Sequence, residues 1–432
     1  MTPFGTQRAP SPSVVLPYYI TAAVAFLILT TLMLVSSASF TGHYFQPRIL
    51  TITHLATLGW GTMIIFGASH QLLPVVMEVH LFSEKLAKWC FALLLPGIIL
   101  LTVSFWIFSI GWTMELGAVF ILISVILYTI NVYGTARQNK KWTISAECII
   151  TASWWLLLTV ILGTLLVFNL RYDLFPRDHL YYLKIHAHIG MAGWFLLMIM
   201  GVASRLIPMF LLSHDEPGTE VKTAYYCING GLLGFLIMTL VFNTGKYWPV
   251  FALVILAGVI AYVRFVRKAY KKAMRKKMDV PMKITIMAVI LMLLPFLFLS
   301  VLACLPSGMD KETVAYSLAY GISIFGGFIT AIILGQTFKT LPFIVWMHRY
   351  KKLIGKVKTP LPRELYREQW VNYQFYSYLM GYIALLAGVI SRIQWLITLG
   401  CAGLFLTAVF YNVNVFITIT HRIKKIPEDG RN

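Results

Sequence analysis

Long apolar stretches alternate with short polar segments along the whole chain. Twelve of these stretches are long enough to cross a lipid bilayer, which takes about 20 residues of α-helix. They lie near positions 14–38, 48–73, 86–108, 113–136, 144–168, 182–212, 222–243, 247–266, 282–303, 313–345, 370–391 and 393–419. The pattern predicts an all-α polytopic membrane protein, in which twelve transmembrane helices form a single membrane domain over residues 1–432.

One helix pattern recurs three times, at a fixed interval of 134 residues. The copies begin at His54, His188 and Ile322, and each carries a glycine followed by an aromatic residue, then a second glycine. Such a repeat predicts three four-helix units, near 14–136, 144–268 and 282–419, packed with pseudo-threefold symmetry around helices 2, 6 and 10. The glycines either let neighbouring helices pack closely or leave room for a flat ligand.

Composition and charge agree with a membrane protein. The chain is 59% hydrophobic and 12% charged and has a net charge of +20, whereas soluble domains carry about 25% charged residues. The basic residues cluster in alternate loops, including a basic loop over 349–368, as the positive-inside rule describes. We therefore expect a multi-pass protein of the cell (inner or plasma) membrane with both termini and this loop in the cytoplasm. Its main partner is the lipid bilayer, and binding to nucleic acid is not expected.

Histidines inside transmembrane helices are costly and usually face the protein interior. His54 and His188 hold the same position in the first two copies, near the outer ends of helices 2 and 6, and His186 lies two residues before His188. Residues two apart point to nearly opposite sides of a helix, so His186 and His188 cannot hold one metal ion together. They can instead serve two different clefts, either as hydrogen-bonded core residues or as ligands of a cofactor.

The direction in which His54 and His188 point around the bundle decides which residues meet. If they point from helix 2 toward helix 6, His54 faces His186 across one cleft. In the opposite sense, His188 faces that cleft alone, and His54 faces helix 10, where Ile322 takes the place of a histidine. The sequence leaves both arrangements open. Both require His54, and at least one of His186 and His188, to hold a cofactor.

Other histidines lie toward the cytoplasmic ends of the inner helices. His80, His214 and His348 follow the three repeat copies at equal spacing. Threefold packing would bring them together, where they either bind a zinc or copper ion or are interfacial residues inherited by duplication. His70 is expected to be hydrogen-bonded near the cytoplasmic interface.

The segment His54-Leu-Ala-Thr-Leu-Gly-Trp-Gly resembles helix 2 of subunit I in the haem–copper oxidase superfamily, closest to its cbb-type oxidase and nitric oxide reductase branch. His186-Ala-His188 is also similar to the NnrS family of haem- and copper-containing membrane proteins. The twelve spans, the pseudo-threefold plan and the cytoplasmic termini agree with this superfamily over nearly the whole chain. The resemblance implies that His54 is a ligand of haem b and that Arg48 and Arg392 are partners of the haem propionates. It further implies one or two haems, possible copper, and a redox partner or an additional membrane subunit.

The chain departs from the oxidase pattern where that family binds copper and its second haem. Helix 7 contains no histidine, and helix 10 carries Tyr320, Gly321 and Ile322 where the family has His-x-His. The binuclear oxygen-reducing centre of the family therefore cannot be carried over to these residues.

Three functions remain after this comparison. The first is a haem-binding membrane protein that acts in electron transfer, in the response to haem or nitric oxide, or in metallocentre support. The second is a terminal oxygen or nitric oxide reductase with atypical ligands, an oxidoreductase like cytochrome c oxidase. The third is a transporter without a cofactor. We predict no significant reduction of oxygen or nitric oxide by this chain alone, because the usual histidines of helices 7 and 10 are missing.

Overall fold

The computed structural model describes residues 10–139, 142–213, 216–274, 278–305 and 310–422. Within them lie twelve helices that are long and apolar enough to cross a membrane, which confirms the predicted all-α polytopic fold. We number them α1 (Pro12–Val35), α2 (Pro47–Met77), α3 (Glu84–Ile107), α4 (Trp112–Ala136), α5 (Ile144–Tyr172), α6 (His179–Leu211), α7 (Thr219–Leu240), α8 (Trp248–Lys271), α9 (Val280–Cys304), α10 (Lys311–Arg349), α11 (Glu368–Ser391) and α12 (Gln394–Thr420).

Local sequence sets where several of these helices begin. Ser83, Thr143, Asp279 and Asp310 precede α3, α5, α9 and α10, and each side chain accepts a hydrogen bond from a backbone N–H of the first turn. These bonds satisfy donors that the helix itself leaves without a partner. Because the connections are short, consecutive helices run in opposite directions.

The three helices that carry the repeat are the innermost ones. Between 67% and 78% of the residues in an apolar 18-residue stretch of α2, α6 and α10 are buried, against 28% to 50% in the other spanning helices. Each inner helix also contains a π-helical segment, at Leu55–Thr62, Ile189–Leu196 and Ser323–Ile329. The segments begin at the same repeat position, directly after His54, His188 and Ile322. Wider turns of this kind are frequent at functional sites.

Equivalent contacts join the inner helices at the centre of the bundle. Trp60 Nε1 of α2 donates a hydrogen bond to Thr330 Oγ1 of α10, and Trp194 Nε1 of α6 donates to Thr62 Oγ1 of α2, both at 3.2 Å. In the remaining pair, from α10 to α6, phenylalanine and leucine take the corresponding positions. The two hydrogen bonds follow one direction around the inner helices, and pseudo-threefold packing stays a prediction. Superposition of the complete four-helix units stays a prediction.

The repeated glycines face neighbouring helices. A Cβ atom added to Gly67, Gly201 or Gly335 would lie 2.6 to 2.8 Å from atoms of α1, α5 or α9, the first helix of the same unit. The first glycine of each copy meets side chains at 2.6 to 2.7 Å, from α5 and α11 at Gly193 and Gly327 and from Leu55 of the same helix at Gly59, where α1 follows at 3.3 Å. These glycines therefore serve close helix packing, and the alternative that they make room for a flat ligand is wrong.

The last helix of each unit places a buried tyrosine against its inner helix. The Tyr128 hydroxyl donates to Ser69 Oγ at 3.0 Å, and the equivalent pair Tyr411 and Thr337 lies at 3.1 Å. The corresponding Tyr262 of α8 is fully buried, but its hydroxyl has no hydrogen-bond partner. The second unit therefore lacks one polar contact that the other two possess.

Candidate cofactor clefts

A cavity of about 1370 Å³ opens between the helices at the end of the bundle where α2, α6 and α10 begin, which we call the histidine end. Its walls are mainly apolar, and His54, His186 and His188 all line it. The cavity extends to both sides of α6. We call the part between α2 and α6, closed by α3, α4 and α5, the 2/6 cleft. The part between α6 and α10, closed by α7, α8 and α9, is the 6/10 cleft.

His54 belongs to the 2/6 cleft. Its Nδ1 atom lies 2.8 Å from the carbonyl oxygen of Leu50, one turn earlier on α2, and its ring stacks on Phe105 of α3 at 4.7 Å between centroids. A carbonyl oxygen only accepts, so Nδ1 carries the proton. In the neutral ring the Nε2 atom then keeps a lone pair that can bind a metal.

His186 lies on the opposite wall of the same cleft and is held in the same way. Its Nδ1 atom donates to the carbonyl oxygen of Thr159 on α5 at 2.9 Å. Gly163, one turn further along α5, leaves space for the ring, because a Cβ atom there would lie 2.7 Å from Cε1 of His186. The backbone of α5 therefore fixes both the tautomer and the position of this imidazole.

The ring of His188 lies beside Tyr320 of the next inner helix, α10, and His54, at the same repeat position, stacks on Phe105 at the wall of the 2/6 cleft. The repeated histidines thus point from α2 toward α6, which is the first of the two arrangements that the sequence left open. Two imidazoles on different helices, each with Nδ1 bonded to a backbone carbonyl, face one cleft. Metal-binding histidines usually have this geometry, in which the ring nitrogen that does not bind the metal donates a hydrogen bond that orients the ring.

Arg48 directly precedes Ile49 and Leu50, which line the cavity, but it is not itself a lining residue. It lies six residues before His54 on α2, with its guanidinium 3.5 Å from the ring centroid of Trp106. Its Nη1 atom is buried and has no hydrogen-bond partner. A guanidinium with one buried nitrogen that lacks a partner is suited to bind a carboxylate, because such charge-assisted bonds are strong.

The 6/10 cleft contains a different pair of residues. His188 Nδ1 donates to the carbonyl oxygen of Lys184 at 2.7 Å, so its Nε2 atom also keeps a lone pair. The His188 ring lies 5.4 Å from the ring of Phe235 on α7 and 6.0 Å from that of Tyr320 on α10, nearly parallel to the latter. Tyr320 holds the repeat position of His186, so the two clefts present His–His and His–Tyr pairs at equivalent places.

Several predicted site residues are not brought to the cavity. Arg392 is exposed at the turn between α11 and α12 and does not line it. His80 and His348 are exposed at the other end of the bundle, and His214 lies outside the described residues. Among the residues the structure does describe, no group of three histidine, cysteine or acidic side chains is placed to bind a metal ion.

The prediction that His70 is hydrogen-bonded is wrong. Its ring is fully buried, and neither ring nitrogen has a partner. It packs against Tyr18 and Tyr128 at centroid distances of 5.5 and 5.7 Å. The side chain points between α1 and α4, away from any aqueous interface, because it lies on the face of α2 that contacts those helices.

Sequence reasoning missed Tyr320 and Gly163 as residues of the clefts. The repeat interval contained a signal for Tyr320, because it stands 134 residues after His186. Gly163 gave no such signal, since its importance depends on the neighbouring helix.

Comparison with known proteins does not add a relative: no model of a protein family matches the chain, and neither does any curated protein.

Proposed function

We propose that this chain is a haem-binding membrane protein, with one haem b in the 2/6 cleft ligated by His54 and His186. The observation that carries the proposal is the pair of imidazoles on α2 and α6, which face one apolar cleft with their Nε2 lone pairs free. Membership of the haem–copper oxidase superfamily stays part of this proposal and rests on the resemblance of the His54 segment alone.

The residues of the 2/6 cleft fit such a group in three respects. Imidazole nitrogen is a common axial ligand of haem iron. The walls are largely apolar, and the whole cavity, of which this cleft is one part, has a volume of about 1370 Å³. Arg48, next to the lining residues Ile49 and Leu50, has one buried nitrogen without a partner, which suits a propionate carboxylate. His54 and His186 would hold the iron, Arg48 would orient the ring edge, and Thr159 and Gly163 would keep His186 in place.

A haem with two imidazole ligands has no open coordination position, so the chemistry that it supplies is electron transfer. We therefore favour electron transfer over reduction of oxygen or nitric oxide. The reductase alternative needs further metal ligands, and α7 contains no histidine. A second haem or a copper ion is not required by the residues of the 2/6 cleft.

The orientation in the membrane belongs to the same proposal. The end of the bundle opposite the histidine end carries the basic loop 349–368 and the basic end of α8. The positive-inside rule supports placing that end in the cytoplasm, with both termini, in a cell membrane. The haem would then lie in the outer half of the bilayer, where a redox partner or a further membrane subunit would exchange electrons with it.

The test is the haem content of the purified full chain after expression with a haem precursor. We expect a Soret band and about one haem per protein, retained in His80→Ala and strongly reduced in His54→Ala and in His186→Ala. His80 is the matched control because it is an exposed histidine at the other end of α2. Full haem content in both cavity variants would overturn the ligand assignment. A colourless protein would favour the transporter alternative, in which the cavity holds no cofactor.

A further inference from the structure

The half of α8 nearest the histidine end is not buried, although it lines the 6/10 cleft. All buried residues of α8 lie from Gly258 onward, so none of residues 248–257 is buried. In the equivalent stretch 114–123 of α4, four residues are buried. Phe251, Ala252 and Ile255 of α8 nevertheless line the cavity. The neighbouring helices therefore leave this part of α8 uncovered, in contrast to the same part of the first unit.

The neighbouring helix α9 is broken beside this part of α8. Regular helix stops at Leu291 and resumes at Leu294, with Pro295 in the new first turn. Proline has no N–H to donate to the carbonyl four residues earlier, and its ring clashes with that carbonyl. The repeat positions of Pro295 in α1 and α5 hold leucine and isoleucine, and both helices continue through them. Between α8 and α9 an apolar chain can therefore enter the 6/10 cleft from the membrane.

Two lysines lie at the rim of the 6/10 cleft where the other units have apolar residues. Lys184 of α6 and Lys246, in the turn before α8, both line the cavity and are exposed. With allowance for the longer loop of the third unit, the repeat positions hold Leu50 and Leu318 for Lys184, and Trp112 and Trp395 for Lys246. The counterpart of Arg48 is absent, because Tyr182 holds its repeat position. The positive charge of this cleft therefore lies at its rim and belongs to the second unit alone.

The other charges near this rim favour an anion. Among the described residues that line the cavity, Asp178 is the only acid, and its carboxylate accepts the N–H of Leu180 at the start of α6. The acidic residues at the start of α10 do not line the cavity. Arg177 adds a further cation at this end of α6 and donates to the side chain of Asn243, just after α7. An anionic group at the rim would therefore meet two lysines that have no acidic neighbour in the cleft.

The polar groups one turn below Lys184 suit a hydroxyl. The Nδ1–H of His188 is used by the Lys184 carbonyl, so Nε2 accepts and does not donate. The hydroxyl of Tyr320, whose ring lies beside that of His188, has no hydrogen-bond partner in the described part of the chain. Four residues of helix separate Lys184 from His188, about 6 Å along the axis. A headgroup with its anion beside Lys184 can therefore reach His188 with a hydroxyl.

We propose that the 6/10 cleft binds an anionic phospholipid with a hydroxylated headgroup, of the phosphatidylglycerol type, from the membrane leaflet at the histidine end. The phosphate lies between Lys184 and Lys246. A headgroup hydroxyl donates to Nε2 of His188, and the hydroxyl of Tyr320 bonds the same headgroup. The acyl chains lie on Phe251 and its apolar neighbours and leave through the opening between α8 and α9. The site does not depend on haem in the 2/6 cleft.

Native mass spectrometry of the delipidated full chain tests the site with three lipids that share their acyl chains. Dioleoylphosphatidylglycerol is anionic and carries hydroxyls, dioleoylphosphatidylethanol has the same charge without a hydroxyl, and dioleoylphosphatidylcholine has no net charge. We expect one tightly bound phosphatidylglycerol, with phosphatidylethanol about fivefold weaker, as for the loss of one hydrogen bond. Phosphatidylcholine should bind most weakly, because the lysines attract net negative charge.

Two double variants separate the charge from the hydroxyl contact. Lys184→Gln with Lys246→Gln should bind phosphatidylglycerol at least about tenfold more weakly. His188→Leu with Tyr320→Phe should bind phosphatidylglycerol and phosphatidylethanol equally, since the groups that select the hydroxyl are gone. Lys311→Gln is the matched control, because Lys311 is an exposed lysine at the same end of α10 that does not line the cavity. Its affinities should equal those of the wild type.

Three results would overturn the proposal. The first is a wild type without preference for phosphatidylglycerol over phosphatidylethanol. The second is a preference that survives in the His188 and Tyr320 variant. The third is an affinity that the two lysine substitutions leave unchanged, which would place the anionic lipid at the basic loop 349–368 on the opposite end of the bundle. None of these results bears on haem content, so the haem proposal stands or fails separately.

Discussion

The 2/6 and 6/10 clefts are built from the same repeat and share one helix, yet they offer different chemistry. In each, a histidine with Nδ1 bonded to the carbonyl one turn earlier faces a residue of the next inner helix. That residue is His186 in the 2/6 cleft and Tyr320 in the 6/10 cleft. At one repeat position, the difference between His186 and Tyr320 thus separates a site with two metal-binding nitrogens from a site with a nitrogen and a hydroxyl.

The largest effect is expected when the 6/10 cleft is given the residue pair of the 2/6 cleft. Tyr320→His gives the 6/10 cleft two imidazoles, and we expect the haem content to rise from one toward two per protein. Because this cleft lacks the equivalent of Arg48, adding Tyr182→Arg should raise the occupancy further. Pyridine haemochrome analysis measures both. A content unchanged from the wild type in the double variant would show that the residue pair does not decide which cleft holds haem.

Removing the positive charge of Arg48, beside the 2/6 cleft, should have the next largest effect. Arg48→Gln leaves a neutral donor, and the loss of a charge-assisted bond costs about 1.5–3 kcal/mol, which corresponds to haem affinity roughly 10- to 150-fold lower. The measurement is haem transfer to an apo-globin acceptor. Arg392→Gln is the control. Because Arg392 is exposed away from the cavity, the haem affinity of this variant should not change. Equal losses in both variants would contradict the role assigned to Arg48.

A smaller effect is expected from the wall of α5. Gly163→Ala places a methyl group 2.7 Å from the His186 ring, so the ring must move. Overpacking of this kind typically costs about 1–3 kcal/mol, and the weakened axial bond should change the visible spectrum of the oxidised haem. Gly230→Ala on α7 is the matched control, because nothing lies within 4 Å of its added Cβ. An unchanged spectrum and affinity in Gly163→Ala would argue against His186 as a ligand.

The smallest effect concerns stability and the buried tyrosines of the first two units. Ala203 stands at the repeat position of Ser69, so Ala203→Ser offers a partner to the buried Tyr262 hydroxyl. A hydrogen bond of this type is worth about 1 kcal/mol, and Ser69→Ala should cost a similar amount by releasing Tyr128. Thermal unfolding in detergent measures both. A destabilised Ala203→Ser variant would show that the two units are not equivalent at this position.

The fold could be predicted because two features of the sequence are easy to recognise and extend over most of the chain. Apolar length defines the twelve spans, and the ungapped repeat identifies the inner helices. The 3.6-residue period also placed His186 and His188 in different clefts. The direction in which His54 points was not predictable, because it depends on the handedness with which the inner helices follow one another around the bundle. The His186–Thr159 bond and the burial of His70 depend on neighbouring helices in the same way.

The central claim is that two imidazoles, from His54 and His186, hold one haem iron in the 2/6 cleft. Electron paramagnetic resonance of the oxidised, haem-loaded protein tests it most directly, because two strong-field nitrogen ligands make ferric iron low-spin. We predict a low-spin signal in the wild type that is replaced by a high-spin signal, or lost with the haem, in both His54→Ala and His186→Ala. A high-spin signal in the wild type, or a low-spin signal that persists in either variant, would contradict the account.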